Sequence, residues 1–521
     1  MIETRGAPLC PAGHLPRMGR DYAVINMQHQ SPTLQDESGE PYRPISPLVG
    51  EMPGRAEGGT PASVSIMTAP SRIAVLDIGK TNAKAVIVDA ETAREIAART
   101  MPNRVLAGPP YPHYDMDGLW RFFLAALAEF ARDPGFDAIS ITTHGASAAL
   151  LGEDGLAMPV LDYEHTYPDH IRESYAALRP NFGETSSPLL SGGLNLGAQL
   201  HYQKTAFPDL FARVKTILTY PQYWAWRLTG IAACEATSLG CHTDLWNPRA
   251  GSFSSLVDRL EIGSLLAPVR SAFDALGTVL PEIADPIGLD KPVPVHCGIH
   301  DSNASLLPHL LRREPPFAVV STGTWVVIFG VGGHAEHLDP RRDTLVNVDA
   351  YRRPVPSARF MGGREFELLM KDAPASHPNE AAAVLPDVLI HQTMVLPSIV
   401  KGTGPFPSRE MAWLNAENLT PPKRHAAASL YAALMTDVSL GLVGANGPII
   451  VEGPFAKNKI YIATLSGLIG REVLALPGST GTSLGAAMLA GMQPGASEPE
   501  SNDLALPETF APYAETWRSL L

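Results

Sequence analysis

The stretch "IAVLDIGKTNAKAVIVD", Ile73 to Asp89, decides how the chain is read. Its Gly79-Lys80-Thr81 triplet has the look of a Walker A terminus, but that pattern needs a glycine five residues earlier, and Ala74 stands there inside an apolar run. The segment instead predicts an apolar strand (Ile73–Leu76) closing on the acid Asp77, a tight polar turn, and a second apolar strand (Ala85–Val88). If the turn meets phosphate, it does so as a hairpin whose backbone N–H groups form an anion-binding nest.

The same pattern returns at "FAVVSTGTWVVIFGV", Phe317 to Val331, with its turn at "STGTW". Between the hairpins the texture is α/β. A strand is expected at Ala138–Thr142 and an amphipathic helix at Gly118–Asp133, where Trp120, Phe123, Leu124, Leu127 and Phe130 recur at helical spacing. Further helices are expected in "NLGAQLHYQKTAF" and "YPQYWAWRLTG"; Gly230 suits the residue after a helix, and Tyr223, Trp224 and Trp226 suit packing rather than base stacking. Towards the C-terminus the pattern predicts a strand at Ile449–Glu452, a helix at Lys457–Leu468, a strand at Glu472–Leu476, and a polar turn feeding a helix in "GSTGTSLGAAMLAG". From Met492 onward the chain reads as surface. The domains implied are an extension over 1–70, an N-terminal domain over 71–312, a C-terminal domain over 313–491 and a tail over 492–521.

Bulk properties narrow the class. With 521 residues the chain exceeds what one core supports. A net charge of −13 argues against nucleic acid or an anionic membrane as the main partner. No apolar run is long enough to span a bilayer. Cys10, Cys234, Cys241 and Cys297 form no Cys-x-x-Cys pair, which fits a reducing, cytoplasmic setting. Residues 1–70 hold proline, glycine and charge without periodicity, so a disordered extension is expected, and Met67 is a candidate translational start.

Three polar turns, Asp77 to Thr81, Ser321 to Thr324 and Gly481 to Ser483, can together hold a polyphosphate and its cation, with Asp77 as a hard oxygen ligand for Mg²⁺ and Lys80 near a phosphate. "VHCGIHDSNAS", Val295 to Ser305, runs a mostly apolar strand into His300 and Asp301. Asp301 reads either as a helix cap or as a general base taking a hydroxyl proton. "ISITTHGASAALLGEDG" ends a strand at Thr143-His144-Gly145, where His144 suits either a polar substrate or a structural hydrogen bond; Asp162, Glu164 and His165 follow in "MPVLDYEHTYPD". Neither His-Glu-x-x-His nor a strand–helix nucleophile elbow is present, which disfavours a hydrolase.

Taken in order, "DIGKTNAKAVIVD", "ITTHGAS", "GIHDSNAS", "STGTW", "VEGPFAKNKIYIATLSGLIGREV" and "GTSLGAAMLAG" resemble the FGGY carbohydrate kinases from Ile73 to Gly491, and most nearly their L-rhamnulose and L-fuculose kinases. The resemblance implies two actin-like, ribonuclease-H-like α/β domains around a central cleft, ATP and Mg²⁺ as cofactors, and phosphorylation of a ketose at a primary hydroxyl. A xylulose, ribulose or other polyol kinase, or a non-enzymatic actin-like ATP-binding module, are the alternatives. It further implies Asp301 as catalytic base and Asp77 at the metal. Gly79, Lys80, Thr81 and Asn82 fall in the first phosphate loop and Gly323 and Thr324 in the second. Gly453 and Asn458 flank the nucleotide, and His144, Gly145 and His300 line the sugar site. A monomer or homodimer is expected. The sequence departs from the family pattern at Lys80, at Thr143 before the histidine, and at Pro454, which has no N–H to offer.

Overall fold

The computed structural model describes residues 70–334, 336, 338–371, 377–417, 419–477, 481–493 and 499–521. The expected disorder of the N-terminal extension, Met67 and Cys10 lie outside the described residues.

The opening hairpin is β1 (Arg72–Ile78) and β2 (Asn82–Asp89), followed by β3 (Arg94–Pro102), helix α1 (Met116–Arg132) and β4 (Ala138–Thr143). A subsidiary layer, which includes α2 (Tyr220–Thr229), precedes β5 (Ala275–Thr278), β6 (Pro294–His296), β7 (Ile299–His300) and α3 (Asp301–Arg312). The strands pair in the order β5-β6-β4-β1-β2-β3, with β7 also on β4. β1 is antiparallel to β2 and parallel to β4, in a register that sets Ile78 beside Thr143, and β7 sets His300 beside Thr143. Three strand ends therefore meet at one edge, carrying Asp77, His144 and Asp301.

β1 is apolar on both faces because both are covered. Ala74, Leu76 and Ile78 pack in the cluster that contains α1 residues Phe123, Leu127 and Phe130. Ile73 and Val75 face the other way, against Ala304 and Leu307 of α3 and Ala486 and Ala487. α1 begins one turn-fraction earlier than the apolar spacing suggested, because the Asp115 carboxylate caps it by accepting from Gly118 N.

The second half runs through β8 (Phe317–Thr322), β9 (Val326–Val331), β10 (Thr344–Val348), β11 (Pro354–Phe360), the 22-residue α4 (Pro421–Leu442), β12 (Ile449–Glu452), α5 (Lys459–Ile469), β13 (Val473–Leu476), α6 (Gly481–Met488) and α7 (Phe510–Ser519). Its sheet order is β10-β11-β9-β8-β12-β13. Again the first strand has its hairpin mate on one side and a parallel strand on the other. The short repeat read between the two hairpins is thus matched by a repeat of sheet topology.

The reading of everything past Met492 as surface is corrected. Phe510, Tyr513, Ala514 and Trp517 of α7 are buried in the second lobe's core, Trp517 Nε1 donates to Val395 O at 2.7 Å, and Tyr513 OH donates to Thr393 O at 3.1 Å. Truncating such a tryptophan costs about 3–5 kcal/mol.

Helix α6 returns to the first lobe and crosses α3. Pro308 inside α3 has no N–H for the Ala304 carbonyl. That oxygen faces Gly485 of α6 so closely that a Cβ there would overlap it. Ser140 Oγ of β4 donates to Ala486 O at 2.6 Å, fixing α6 on the sheet.

Candidate active site

Asp301 opens α3 at the shared strand edge, its side chain 29% exposed. One carboxylate oxygen accepts from Ser302 N at 2.6 Å and lies 3.1 Å from His300 Nε2. Burial pushes its carboxyl above the ordinary aspartate value, with His144 acting in the opposite sense. A carboxylate raised this way is a stronger proton acceptor than an exposed one.

His300 is held on several sides. Asn303 Nδ2 donates to its Nδ1 at 3.2 Å, which leaves the ring hydrogen on Nε2, towards Asp301 and 3.5 Å from Cys241 Sγ. Its backbone N donates to Thr237 Oγ1 at 3.1 Å, and that hydroxyl donates to the fully buried Glu235 at 2.5 Å. Burial lowers His300 to about 4 and raises Glu235 to about 7. Gly145 permits this packing, because a Cβ there would come within 2.8 Å of His300 Nε2 and 3.2 Å of Cys241 Sγ.

His144 is buried among the rings of Tyr114, Tyr163 and Tyr220. Its Nδ1 donates to Gly145 O at 2.8 Å, and burial lowers its pKa to about 4, so the ring is neutral near pH 7. Nε2 is then a buried acceptor without a partner among the described residues. A lone acceptor in a polar pocket suits a substrate hydroxyl.

The first turn is pinned from behind. Gly79 N donates to Asn82 O at 2.9 Å, and Asn103 binds both Gly79 O and Thr81 O at 2.9 Å, leaving Thr81 and Asn82 exposed at the tip. Asp77 Oδ2 accepts from the Thr482 hydroxyl and, at 2.9 Å, from the Ser483 hydroxyl. Burial raises the Asp77 carboxyl, the two hydroxyls lower it, and the charge of Asp301 raises it again. Two carboxylates that repel one another in a cleft suit a cation between or beside them. Among the described residues there is no cluster of three metal-ligating side chains; Asp77 is the carboxylate that would hold Mg²⁺, an ion that commonly takes one carboxylate plus substrate phosphates and water.

Lys80 is placed differently from its sequence reading. Its ammonium makes an ion pair with Asp162, lies 3.5 Å from Glu164 Oε2, and sits over the Tyr114 and Tyr163 rings at 5.1 and 4.9 Å. Its charge is thus turned towards the loop after His144. His165 instead packs against Tyr167 and Tyr202.

Gly323 and Thr324 lie exposed at the second turn. With Gly363, Phe366, His425, Pro454, Phe455 and Asn458 they line a cavity of about 430 Å³, within the usual range for a small-molecule site. Phe366 meets His425 and Phe455 edge-on at 5.5 and 5.6 Å, an aromatic wall suited to a flat heterocycle. Gly453 holds φ +80°, and a Cβ there would overlap Thr322 O. Thr322 Oγ1 donates to Glu452 O and accepts from Phe455 N at 3.1 Å, so turn and nucleotide-side loop are joined. Asn458 caps α5 by accepting from Tyr461 N at 3.1 Å while donating to Ser429 Oγ at 2.8 Å. Pro454 lines the cavity with its ring.

Sequence reading missed Glu235, Thr237, Cys241, Asn303 and the role of Thr482 and Ser483 at Asp77. These pairings span from a few to more than four hundred residues, and no local spacing announces them.

Residues 72–308 match the model of the FGGY family of carbohydrate kinases, N-terminal domain, and residues 314–499 that of the carbohydrate kinase FGGY C-terminal domain. A carbohydrate kinase of Novosphingobium aromaticivorans is 36% identical, with a TM-score of 0.81 over 87% of this chain and 99% of that one. A xylulose kinase of Rhodospirillum rubrum shares the fold at 17% identity, with a TM-score of 0.72 over 86% of this chain and 98% of its own. Among curated proteins, a probable L-xylulose kinase of Haemophilus influenzae is 26% identical over 49% of this chain and 55% of its own length. An L-xylulose/3-keto-L-gulonate kinase of Escherichia coli is 26% identical over 49% and 53%. The chain thus spans about half the length of the curated relatives it matches. An L-fuculokinase of Haemophilus influenzae matches at 24% over 50% and 58%. The expected leaning towards L-rhamnulose and L-fuculose kinases is therefore corrected: the matches name L-xylulose kinases as readily, and short motifs shared across the family had suggested a finer assignment than they carry. No described helix is long and apolar enough to cross a membrane. Two matched domain models covering most of the chain, on a duplicated fold closed around Asp301, place this protein in the FGGY family of carbohydrate kinases.

Proposed function

We propose that the protein transfers the γ-phosphate of ATP to a primary hydroxyl of a ketose, of the L-xylulose type in preference to a deoxy-ketose. The observation that carries this reading is Asp301, a carboxylate with raised basicity at the strand edge where Asp77 and the unpartnered His144 Nε2 also converge. ATP supplies the phosphoryl group, and Asp77 would hold Mg²⁺, which would offset the charge of the phosphates. Asp301 takes the proton of the attacking hydroxyl, while His300 donates to the carboxylate and holds it in place. His144 Nε2 accepts from another sugar hydroxyl. Gly323 and Thr324 face the nucleotide from the opposite lobe, and the Phe366–Phe455 wall receives its base. Such catalysis is positioning plus charge stabilisation.

The test is ATP consumption over a panel of ketoses, with the phosphorylated sugar detected by mass spectrometry, for wild type and Asp301→Asn. A ketose is expected to stimulate ATP consumption, and D301N to lose about 10²–10⁴-fold in turnover with little change in ATP affinity. D301N retaining more than about a tenth of wild-type turnover would refute Asp301 as the base. Stimulation by no sugar would favour the ATP-binding module.

A further inference from the structure

We propose that the sugar pocket admits neutral polyol chains and turns away sugar acids, because the cations near it, Lys80 and Arg359, are engaged by Asp162 and Asp343 while Glu164 and Asp301 leave it negative. The inference rests on the kinase reading and narrows its substrate class. Names among the relatives span both chemistries, with L-xylulose on one side and 3-keto-L-gulonate and gluconate on the other.

Lys80 is paired with Asp162, whose side chain is 10% exposed and also takes Tyr114 OH at 3.3 Å and Glu164 N at 3.2 Å. This is a built arrangement, with lysine, carboxylate and tyrosine in fixed positions. Glu164, 3.5 Å from the same ammonium, adds a second negative charge. Tyr163 lies between the groups: burial first, then the charges of Glu164, Asp301 and Asp162, push its phenol above the ordinary value. The three acids thus act on one ring that also stands edge-on to His144.

The histidines do not restore the balance. Burial lowers His144 and His300 to about 4 and His242 to about 3, so all three are neutral near pH 7. Arg359, whose charge reaches Cys241 and His242, is itself paired with Asp343 at 3.3 Å and stacked on Trp325 at 5.0 Å. A sugar hydroxyl can donate to Glu164, to Asp301 or to His144 Nε2. A carboxylate can only accept. It would meet Glu164 and Asp301 with no unengaged cation beside it among the described residues, and like charges placed together are disfavoured.

The experiment uses the full chain and compares kcat/KM for L-xylulose, D-xylulose and L-fuculose with that for 3-keto-L-gulonate and D-gluconate, in wild type and Glu164→Gln. Glu164 is exposed, so the variant does not disturb a core. The best neutral ketose is expected to exceed either acid by about 100-fold or more. E164Q is expected to narrow that ratio by about two- to fivefold, the range of a partly screened charge. An acid used within tenfold of the best ketose, or a ratio unmoved by E164Q, overturns the inference while leaving the kinase intact. Turnover with none of the five sugars removes the kinase reading and this inference with it.

Discussion

The two hairpin turns have one topology and differ in the charge of their attachments. The turn at Gly79–Thr81 is closed by Gly79 N donating to Asn82 O at 2.9 Å, takes two bonds from Asn103, and is held by charged side chains, Lys80 on Asp162 and Asp77 at its base on Thr482 and Ser483. The turn at Gly323–Thr324 is closed in the same way, by Gly323 N donating to Trp325 O at 2.9 Å, but is joined to the loop at Gly453 by the uncharged Thr322 hydroxyl. The first attachment fixes charges in place, as the proposed sugar pocket requires. The second leaves the tip free of charge, and a nest of N–H groups there suits the phosphate of the proposed nucleotide. The two sheets thus share a pairing pattern while the chemistry of their turns differs.

Among variants of the two turns, the largest effect is expected at the close approach beside the second one. Gly453→Ala places a Cβ on the Thr322 carbonyl and forces φ +80° on a residue with a side chain. Strain of this kind costs about 1–3 kcal/mol. The thermal midpoint should fall by several degrees and the KM for ATP should rise about tenfold or more, read by calorimetry and steady-state kinetics. A G453A protein with both unchanged would show that the second turn does not depend on that close approach.

Next comes a reciprocal pair. Lys80→Met should raise the sugar KM about tenfold, equivalent to about 1.4 kcal/mol, with the ATP KM within about twofold. Thr324→Ala should do the converse. If K80M raised the ATP KM and spared the sugar, Lys80 would reach a phosphate as its position in the sequence suggested, and the contrast between the turns would vanish.

The smallest effect is in pH. Asp301 works as the base only when ionised, and burial raises its pKa, so activity should fall as pH drops, with the acid limb above that of an ordinary aspartate, about 3.9. His144 and His300, lowered to about 4, stay neutral from pH 6 to 8. The kcat/KM profile should therefore show no inflection at the ordinary histidine value, about 6.5. An inflection there would mean a charged imidazole in the pocket and a different balance around Lys80.

Much of the frame was legible because strands covered on both faces write themselves as unbroken apolar runs: both hairpins and Ile449–Glu452 were readable on that ground. Helix boundaries were less so. The helix expected from Lys457 starts at Lys459, because Pro454–Lys457 forms a short 3₁₀ turn and Asn458 takes the cap. The terminal helix was missed although Phe510, Tyr513, Ala514 and Trp517 stand at helical spacing, because the whole segment from Met492 onward was read as surface. At the site, the strand-end acids and histidines announced themselves by position. The partner of Lys80, 82 residues away, and those of Asp77, more than 400 away, exist only once the sheet and α6 are assembled.

The crossing of α3 and α6 has a consequence for anyone who would redesign this protein. At Gly485 the backbone of α6 touches the Ala304 carbonyl with no side chain between, so any residue larger than glycine there would push on the helix that begins with Asp301. One wall of the proposed sugar pocket is therefore a poor place for substitution. The opposite wall is the loop carrying Tyr163 and Glu164, which lies in no helix or strand and holds an exposed carboxylate. Libraries aimed at new sugars belong on that loop, with α3 left untouched.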